Sequence, residues 1–402
     1  MANNIVSELQ KCEKNEITLN RNQRDILREI YNNINLCAKF VKKTKKNGFF
    51  VELENVHNIH QLSEAVKRAE QQYLPEAIGK YIRSNTDYML NCIYIVNNKR
   101  IRITFYFMEE CTPELRTLYL KYVDIMLIWL TYASRISKPG CLSKWEMAVD
   151  IYLTPFKKEL PEFTKEVLGP NNINSAFCYR CGGAQQGITI FREEEWFKVF
   201  IHETFHYFGF DSALSDVNLN RNIGKLFALD IDFSVYEGYC DFWARFLQCV
   251  FISHIETSNK SFEVFSKLCN NYLNVERFFT CFQSVKTLKY MGLTYSDLYT
   301  EGKSDIYKEN THVFGYYTVT NILFNNFGKF LEWCSLENTN MFIVKNNTEP
   351  FYKYIKSNYK DPNLLETLTN CEKCFKELLL NDQLETLNTT RMSSLDLKLK
   401  ND

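Results

Sequence analysis

Five residues, His202-Glu203-Thr204-Phe205-His206, constrain this chain more than any other feature. They sit inside an apolar run, with Trp196, Phe197, Val199, Phe200 and Ile201 before and Phe205, Tyr207 and Phe208 among and after them. A helix apolar on all sides has to be buried. Four residues advance a helix by about 400°, so His202 and His206 stack on one face a single turn apart. Two imidazoles placed so can grip one metal ion, and Glu203, about 100° round, can act on a water bound to that metal. The alternative is a pair of surface histidines beside a solvated glutamate, which the apolar flanks oppose. With 6 His in 402 residues, and Asp accepted in place of Glu, chance supplies about 0.01 such patterns.

Composition sets the frame for that helix. Hydrophobic content of 45% and charged content of 24% fit a folded chain with a large core. Lys+Arg and Asp+Glu are 48 each, so no net field favours nucleic acid or an anionic membrane. The five lysines between Lys39 and Lys46 read as a solvated helix end. The most apolar stretch, 119–133, contains Lys121 and Asp124, is too short to span a bilayer, and reads as a buried helix. No secretory leader is visible at the first residues, so the 14 Cys are expected as reduced thiols and the chain as cytoplasmic. The excess of Asn, Lys and Ile matches an AT-rich coding sequence of the kind large DNA viruses and AT-rich microbes carry; virion association is the corresponding expectation if the source is viral.

Along the chain, residues 1–85 read as helical, with helices expected at 22–40 and 61–82. Residues 88–108 read as a hairpin turning at Asn97-Asn98. Thr112-Pro113 opens a long helix to about Ser134, Thr as the cap and Pro at the first helical position. Strands are expected at 145–153, 173–180 and 187–191. The histidine helix is expected from about Glu193 to Phe208, with Glu193, Glu194 and Glu195 in its first turn and Gly209 as its terminator. Further helices are expected at 215–229, 234–253, 261–289, 311–333 and 362–380. The fold class is therefore α+β. It comprises an N-terminal helical region (1–85), a mixed-sheet subdomain with the histidine helix (86–210), a helical subdomain (211–382), and a polar tail (383–402) expected to be disordered.

A catalytic zinc site needs a third protein ligand and an open position. Thirty-one residues beyond His206 (237 − 206) begins Glu237-Gly238-Tyr239-Cys240-Asp241, with two acids one turn apart inside an apolar helix. Glu237 can offer an oxygen to the metal, and Asp241 can accept the other ring N–H of a ligand histidine. Gly238 and Cys240 are small enough for close approach to the histidine helix. Two surface acids are the alternative, disfavoured by Val235, Tyr236, Phe242 and Trp243 around them.

The H-E-x-x-H pattern followed by a helix with E-x-x-x-D resembles the gluzincin metallopeptidases, the thermolysin-like side of the zincins. The resemblance covers residues 173–248, with a looser extension to Tyr317. It implies a zincin-like fold, with a mixed sheet and active-site helix followed by a mostly helical part. It implies one catalytic Zn²⁺ held by His202, His206 and Glu237, with Glu203 as general base and Asp241 behind a ligand histidine. It places Asn174, Ser175, Ala176 and Phe177 at the edge strand that pairs with a peptide substrate. The G-x-M-E-N signature of the aminopeptidases is absent.

A rival arrangement is metzincin-like, with Gly209 three residues after the second histidine, Asp211 as third ligand and Met291 in an imperfect Met-turn. For the developing oxyanion, which gluzincins stabilise with a Tyr or His from the C-terminal half, the candidates in order are Tyr317, Tyr316 and His312. His57, His60 and His254 read as structural. Cys178-x-x-Cys181 and Cys371-x-x-Cys374 have zinc-finger spacing, but they lie far apart, and a chain with 14 Cys produces such pairs easily. The function expected is a zinc metallopeptidase acting on a peptide or protein, with neither nucleic acid nor membrane as partner and the oligomeric state left open. The competing reading is a non-catalytic structural or interaction protein on a zincin scaffold, which the intact Glu203 opposes.

Overall fold

The computed structural model describes residues 9, 16–55, 74–96, 99–137, 146–162, 166–182, 187–257, 261–381 and 383–399. The architecture is α+β, and the chain divides into two compact units. A sheet unit comprises Glu29–Lys157, Asn174–Phe210 and Leu397–Asp402, and a helical unit Met1–Arg28, Lys158–Ile173 and Asp211–Asp396.

The sheet unit grows from an antiparallel pair, β2 (Tyr88–Val96) and β3 (Lys99–Phe107). Leu90, Cys92 and Tyr94 face Phe105, Ile103 and Ile101 across it and are buried with them. The hairpin expected at 88–108 is therefore present; its turn at Asn97-Asn98 lies outside the described residues. A parallel partner needs a crossover, and α3 (Pro113–Ile136) supplies it before β4 (Glu146–Tyr152). Thr112 caps α3 by accepting from Leu115 N, and Pro113 takes the first position, as the sequence predicts. The apolar stretch 119–133 is its buried face. Two short strands, β5 (Ala176–Cys178) and β6 (Ile188–Ile190), complete one side of the sheet, and with β1 (Phe49–Asn55) on the other the order is β1-β2-β3-β4-β6-β5. β5 is thus an edge strand, antiparallel to β6.

The first 85 residues are not all helical. After α1 (Arg21–Gly48) comes β1 (Phe49–Asn55), paired antiparallel with β2, and then α2 (Glu76–Asn85). The alternation of Val51 and Leu53 with Glu52 and Glu54 carries the strand signal. The helix expected at 61–82 falls largely outside the described residues, as do His57 and His60. Most of the lysine run is a solvated helix end as expected; Lys45 pairs with Asp124 of α3 and lies over the Phe49 ring.

In the helical unit, α5 (Val217–Leu226), α6 (Val235–Glu256), α7 (Phe262–Tyr290) and α11 (Pro362–Leu380) follow the sequence reading. The helix expected at 311–333 breaks into a π-helical turn (Phe314–Val319), α8 (Thr320–Asn325) and α9 (Phe327–Glu337). The small strands β7 (Asn338–Thr339) and β8 (Ile343–Val344), and α10 (Glu349–Asn358), were not expected. The tail also departs from expectation. α12 (Leu384–Asn388) and the stretch after it are ordered, with Thr390, Arg391, Met392, Ser393 and Ser394 buried. Its hydroxyls and backbone groups are bonded to side chains of the helices, which is why polar composition misled. Among the described residues, no helix is long and apolar enough to cross a membrane.

Candidate metal-binding residues

Helix α4 (Trp196–Tyr207) carries the two histidines. It starts three residues later than expected, because Glu195 takes a left-handed backbone (φ 58°) at the cap. Of the three glutamates expected in the first turn, Glu194 and Glu195 are buried ahead of it. The C-terminal end is as expected: Gly209 (φ 68°) donates to His206 O at 3.0 Å and Phe210 N donates to Phe205 O at 2.9 Å, a Schellman motif that ends the helix directly after the second histidine. Rotation about the helix axis is set by aromatic packing and one hydrogen bond. Trp196 packs edge-on to Tyr122, Phe205 stacks on Trp129, and the Trp129 indole donates to Thr204 Oγ1 at 2.7 Å. Thr204 in turn donates to Ile201 O at 2.6 Å. Trp129 and Thr204 were not singled out from sequence; a hydroxyl between the motif's charged residues is its only trace.

The consequence is the geometry of the imidazoles. His202 is buried, His206 half-buried, and their Nε2 atoms lie 3.0 Å apart. Two nitrogens on one tetrahedral zinc at 2.0–2.1 Å are about 3.3 Å apart, so a few tenths of an ångström separate this pair from chelating geometry. Glu203 is 8% exposed, buried but in reach of water. Its backbone carbonyl accepts from the Cys178 thiol at 3.3 Å, which ties β5 to this turn of α4. Asn174 O accepts from Arg192 and Ser175 O from Phe191 N, so both are committed to holding the strand end, while Ala176 lies on the edge strand and is half-buried.

In the helical unit, Glu237 lies in the first turn of α6, where the helix dipole favours its charge, and is 7% exposed. Asp241 is one turn on and fully buried; its carboxylate pairs with Arg245 at 2.5 Å. Arg245 also donates to Thr280 Oγ1 at 2.7 Å and to Tyr316 O at 3.4 Å, and lies 4.0 Å from Glu276. Burial pushes the Glu276 carboxyl up, opposed by Arg245 and by hydrogen bonds from Ser394 and Ser393. The Arg at i+4 from Asp241 was a visible signal for this network. Gly238 serves a different approach from the one expected within this unit. A Cβ there would lie 2.7 Å from Gly315 O and from Val319, so the glycine lets α6 meet the π-helical turn backbone to backbone.

The oxyanion candidates sit on or beside that turn. Tyr317 is buried among Leu168, Ile173, Val313 and Met392, and its hydroxyl donates to Thr390 O at 2.5 Å. Tyr316 is half-buried against the same cluster. His312 is half-buried, its ring 6.2 Å from that of Tyr236, the neighbour of Glu237. Glu309 was not foreseen in its actual role. Its carboxylate accepts from Phe314 N at 2.6 Å and Tyr307 OH at 2.8 Å, and burial pushes it up to about 8.

Asp211, the rival third ligand, is buried, and its carbonyl accepts from Leu214 N. Met291 follows α7 as its cap and packs on the Leu168 cluster. His254 is half-buried near the end of α6, and desolvation pushes its pKa down. The cysteines are not all reduced: Cys181 and Cys374, one from each C-x-x-C pair, each take part in a disulfide. No family model, no curated protein sequence and no solved structure matches this chain.

Proposed function

We propose that the chain is a zinc-dependent metallopeptidase with a zincin-like site, in which His202, His206 and Glu237 hold one zinc ion. The observation that carries this reading is the pair of imidazole nitrogens 3.0 Å apart on one buried helix, with a glutamate next to the first. The donor types of His202, His206 and Glu237 are those of a metal-binding group. Zinc held by these residues would supply Lewis acidity, making a water nucleophilic near pH 7 and polarising a carbonyl. Glu203 accepts the proton of the attacking water and returns it to the leaving amine. Asp241, steadied by Arg245, orients a ligand imidazole. The edge strand β5 offers its outer side to an extended substrate, which adds as a further strand. Among the oxyanion candidates, the commitment of the Tyr317 hydroxyl to Thr390 moves His312 ahead of Tyr317 and Tyr316.

Zinc analysis and peptide-library profiling of the purified protein test the reading. One zinc per chain is expected, together with hydrolysis that falls by about 10²–10⁴-fold in Glu203→Gln while the zinc stays bound. Undiminished turnover in that variant would refute the role of Glu203. A second donor set, His206, Asp211 and Cys240, competes for the metal. Loss of zinc in Glu237→Ala but not in Asp211→Ala selects the first set; the reverse selects the second.

A further inference from the structure

After α12, residues 389–396 run through the helical unit as buried or half-buried chain with no helix of their own and one isolated bridge. Among the described residues, backbone bonds tie this stretch to Glu385 O, which accepts from Thr389 N at 3.2 Å, and to residues 158–160: Thr390 N donates to Lys158 O at 2.9 Å, next to the bond from Leu160 N to Asn388 O at 2.8 Å. Side chains hold most of the rest. Lys286 Nζ donates to Thr386 O at 2.9 Å and to Thr389 O. Gln283 donates to Thr389 O at 3.4 Å and to Arg391 O. Tyr317 reads Thr390 O, Gln248 reads Leu395 O at 2.7 Å, and Glu276 accepts from both N and Oγ of Ser394. Met392 fills an apolar pocket of Leu168, Ile173, Val313 and Tyr317.

This is how a protein recognises an extended peptide: main-chain groups read one by one, with a pocket for a single side chain. A buried segment must pair its backbone groups somewhere, and here most of the partners are side chains of α6, α7 and the π-helical turn rather than a ladder. Lys286 strengthens the point. It is 1% exposed, burial drives its ammonium well down with no carboxylate offsetting it, and its hydrogen bonds go to carbonyls of this segment. Burying an ammonium is costly, and here the return is main-chain recognition.

We propose that this part of the helical unit is a binding channel for an extended peptide, held here by the chain's own residues 389–395, and that a peptide of the same Thr-Thr-Arg-Met-Ser-Ser pattern enters it in trans once that segment is released. The proposal does not rest on the metal reading, although Tyr317 and, through Arg245, Glu276 belong to both, and its test reads binding and not hydrolysis.

Leu380 is 86% exposed and Asn381 is exposed beside it, so a specific protease sequence inserted there allows the otherwise full chain to be cut. A fluorescent peptide of residues 384–396 is then added and followed by anisotropy. The expected result is exchange that saturates at one peptide per chain, with a Met392→Asp peptide weaker by on the order of a hundredfold. Because the substitution is in the peptide, folding of the chain is not in question. A cut segment that stays in place and admits no labelled peptide, with circular dichroism unchanged, would overturn the proposal. Equal binding of the two peptides would overturn it as well.

Discussion

In the sheet unit, α4 is held by a Schellman turn, by stacked aromatic rings and by one indole hydrogen bond from Trp129. In the helical unit, α6 is held by a fully buried ion pair, a flanking carboxylate and a glycine contact with a π-helical turn. The first arrangement is mainly apolar; its turn is local in sequence, but its ring contacts and its indole hydrogen bond come from α3, with Trp129 reaching Thr204 across 75 residues. The second is charged; its ion pair spans one helical turn, but it is completed by distant partners, Arg245 reaching Thr280 and Glu276 reaching Ser394. Two helices carrying side chains of the proposed site are thus positioned by different physics, and substitutions should separate them.

The largest effect is expected at Arg245. Arg245→Met leaves Asp241 and Glu276 buried without their cation and should cost about 3–5 kcal/mol in urea unfolding. The sheet unit's counterpart, Arg102 with Asp150 at 3.1 Å, has a 23%-exposed side chain, so Arg102→Met should cost clearly less. Equal losses would break the comparison.

Next comes Glu309, whose folded pKa of about 8 lies above the usual carboxylate range, burial being the main cause and Asp232 adding to it. A carboxyl raised on folding stabilises the fold below its unfolded pKa, and that contribution is lost as pH rises toward 8. Glu309→Gln keeps an acceptor for Phe314 N and Tyr307. It should match wild type near pH 4 and exceed it by on the order of a few kcal/mol at pH 8. A constant difference across that range would remove Glu309 as the titrating group.

Gly238→Ala should cost about 1–3 kcal/mol, since the added methyl meets Gly315 O and Val319 at 2.7 Å. Smallest is Gly209→Ala, about 1 kcal/mol for a left-handed residue at a helix end. Thermal melts of the two variants sharpen the contrast: the glycine that closes α4 matters less than the glycine that seats α6.

The same contrast explains what sequence could reveal. Hairpin, crossover helix, histidine helix and its stop at Gly209 all rest on short-range rules, and each is present. β1 was missed although Asn47-Gly48 closes the lysine-rich helix before it, because its alternation runs for only a few residues. The π-helical turn was invisible because Glu309, four residues ahead of Val313, and Gly238, far away in sequence, impose it together. The tail was misread because polarity was taken for solvation, when Glu276, Gln283 and Lys286 wait inside with complementary groups. For the site, the His-Glu-His spacing was fully legible, whereas the engagement of Arg245 with Thr280 and of Tyr317 with Thr390 needed the fold.

The wide turn at Phe314–Val319 has one further consequence. It accommodates about one residue more than an α-turn would over the same rise. Deleting a single residue there would let the ladder close with ordinary spacing and leave the side chains downstream aimed as they are, whereas deleting one from the regular turns of α8 would swing everything after it by about 100°. The wide turn thus carries an added residue without disturbing angular phase, and length variants at this spot should be judged by where side chains aim rather than by how firmly the protein holds.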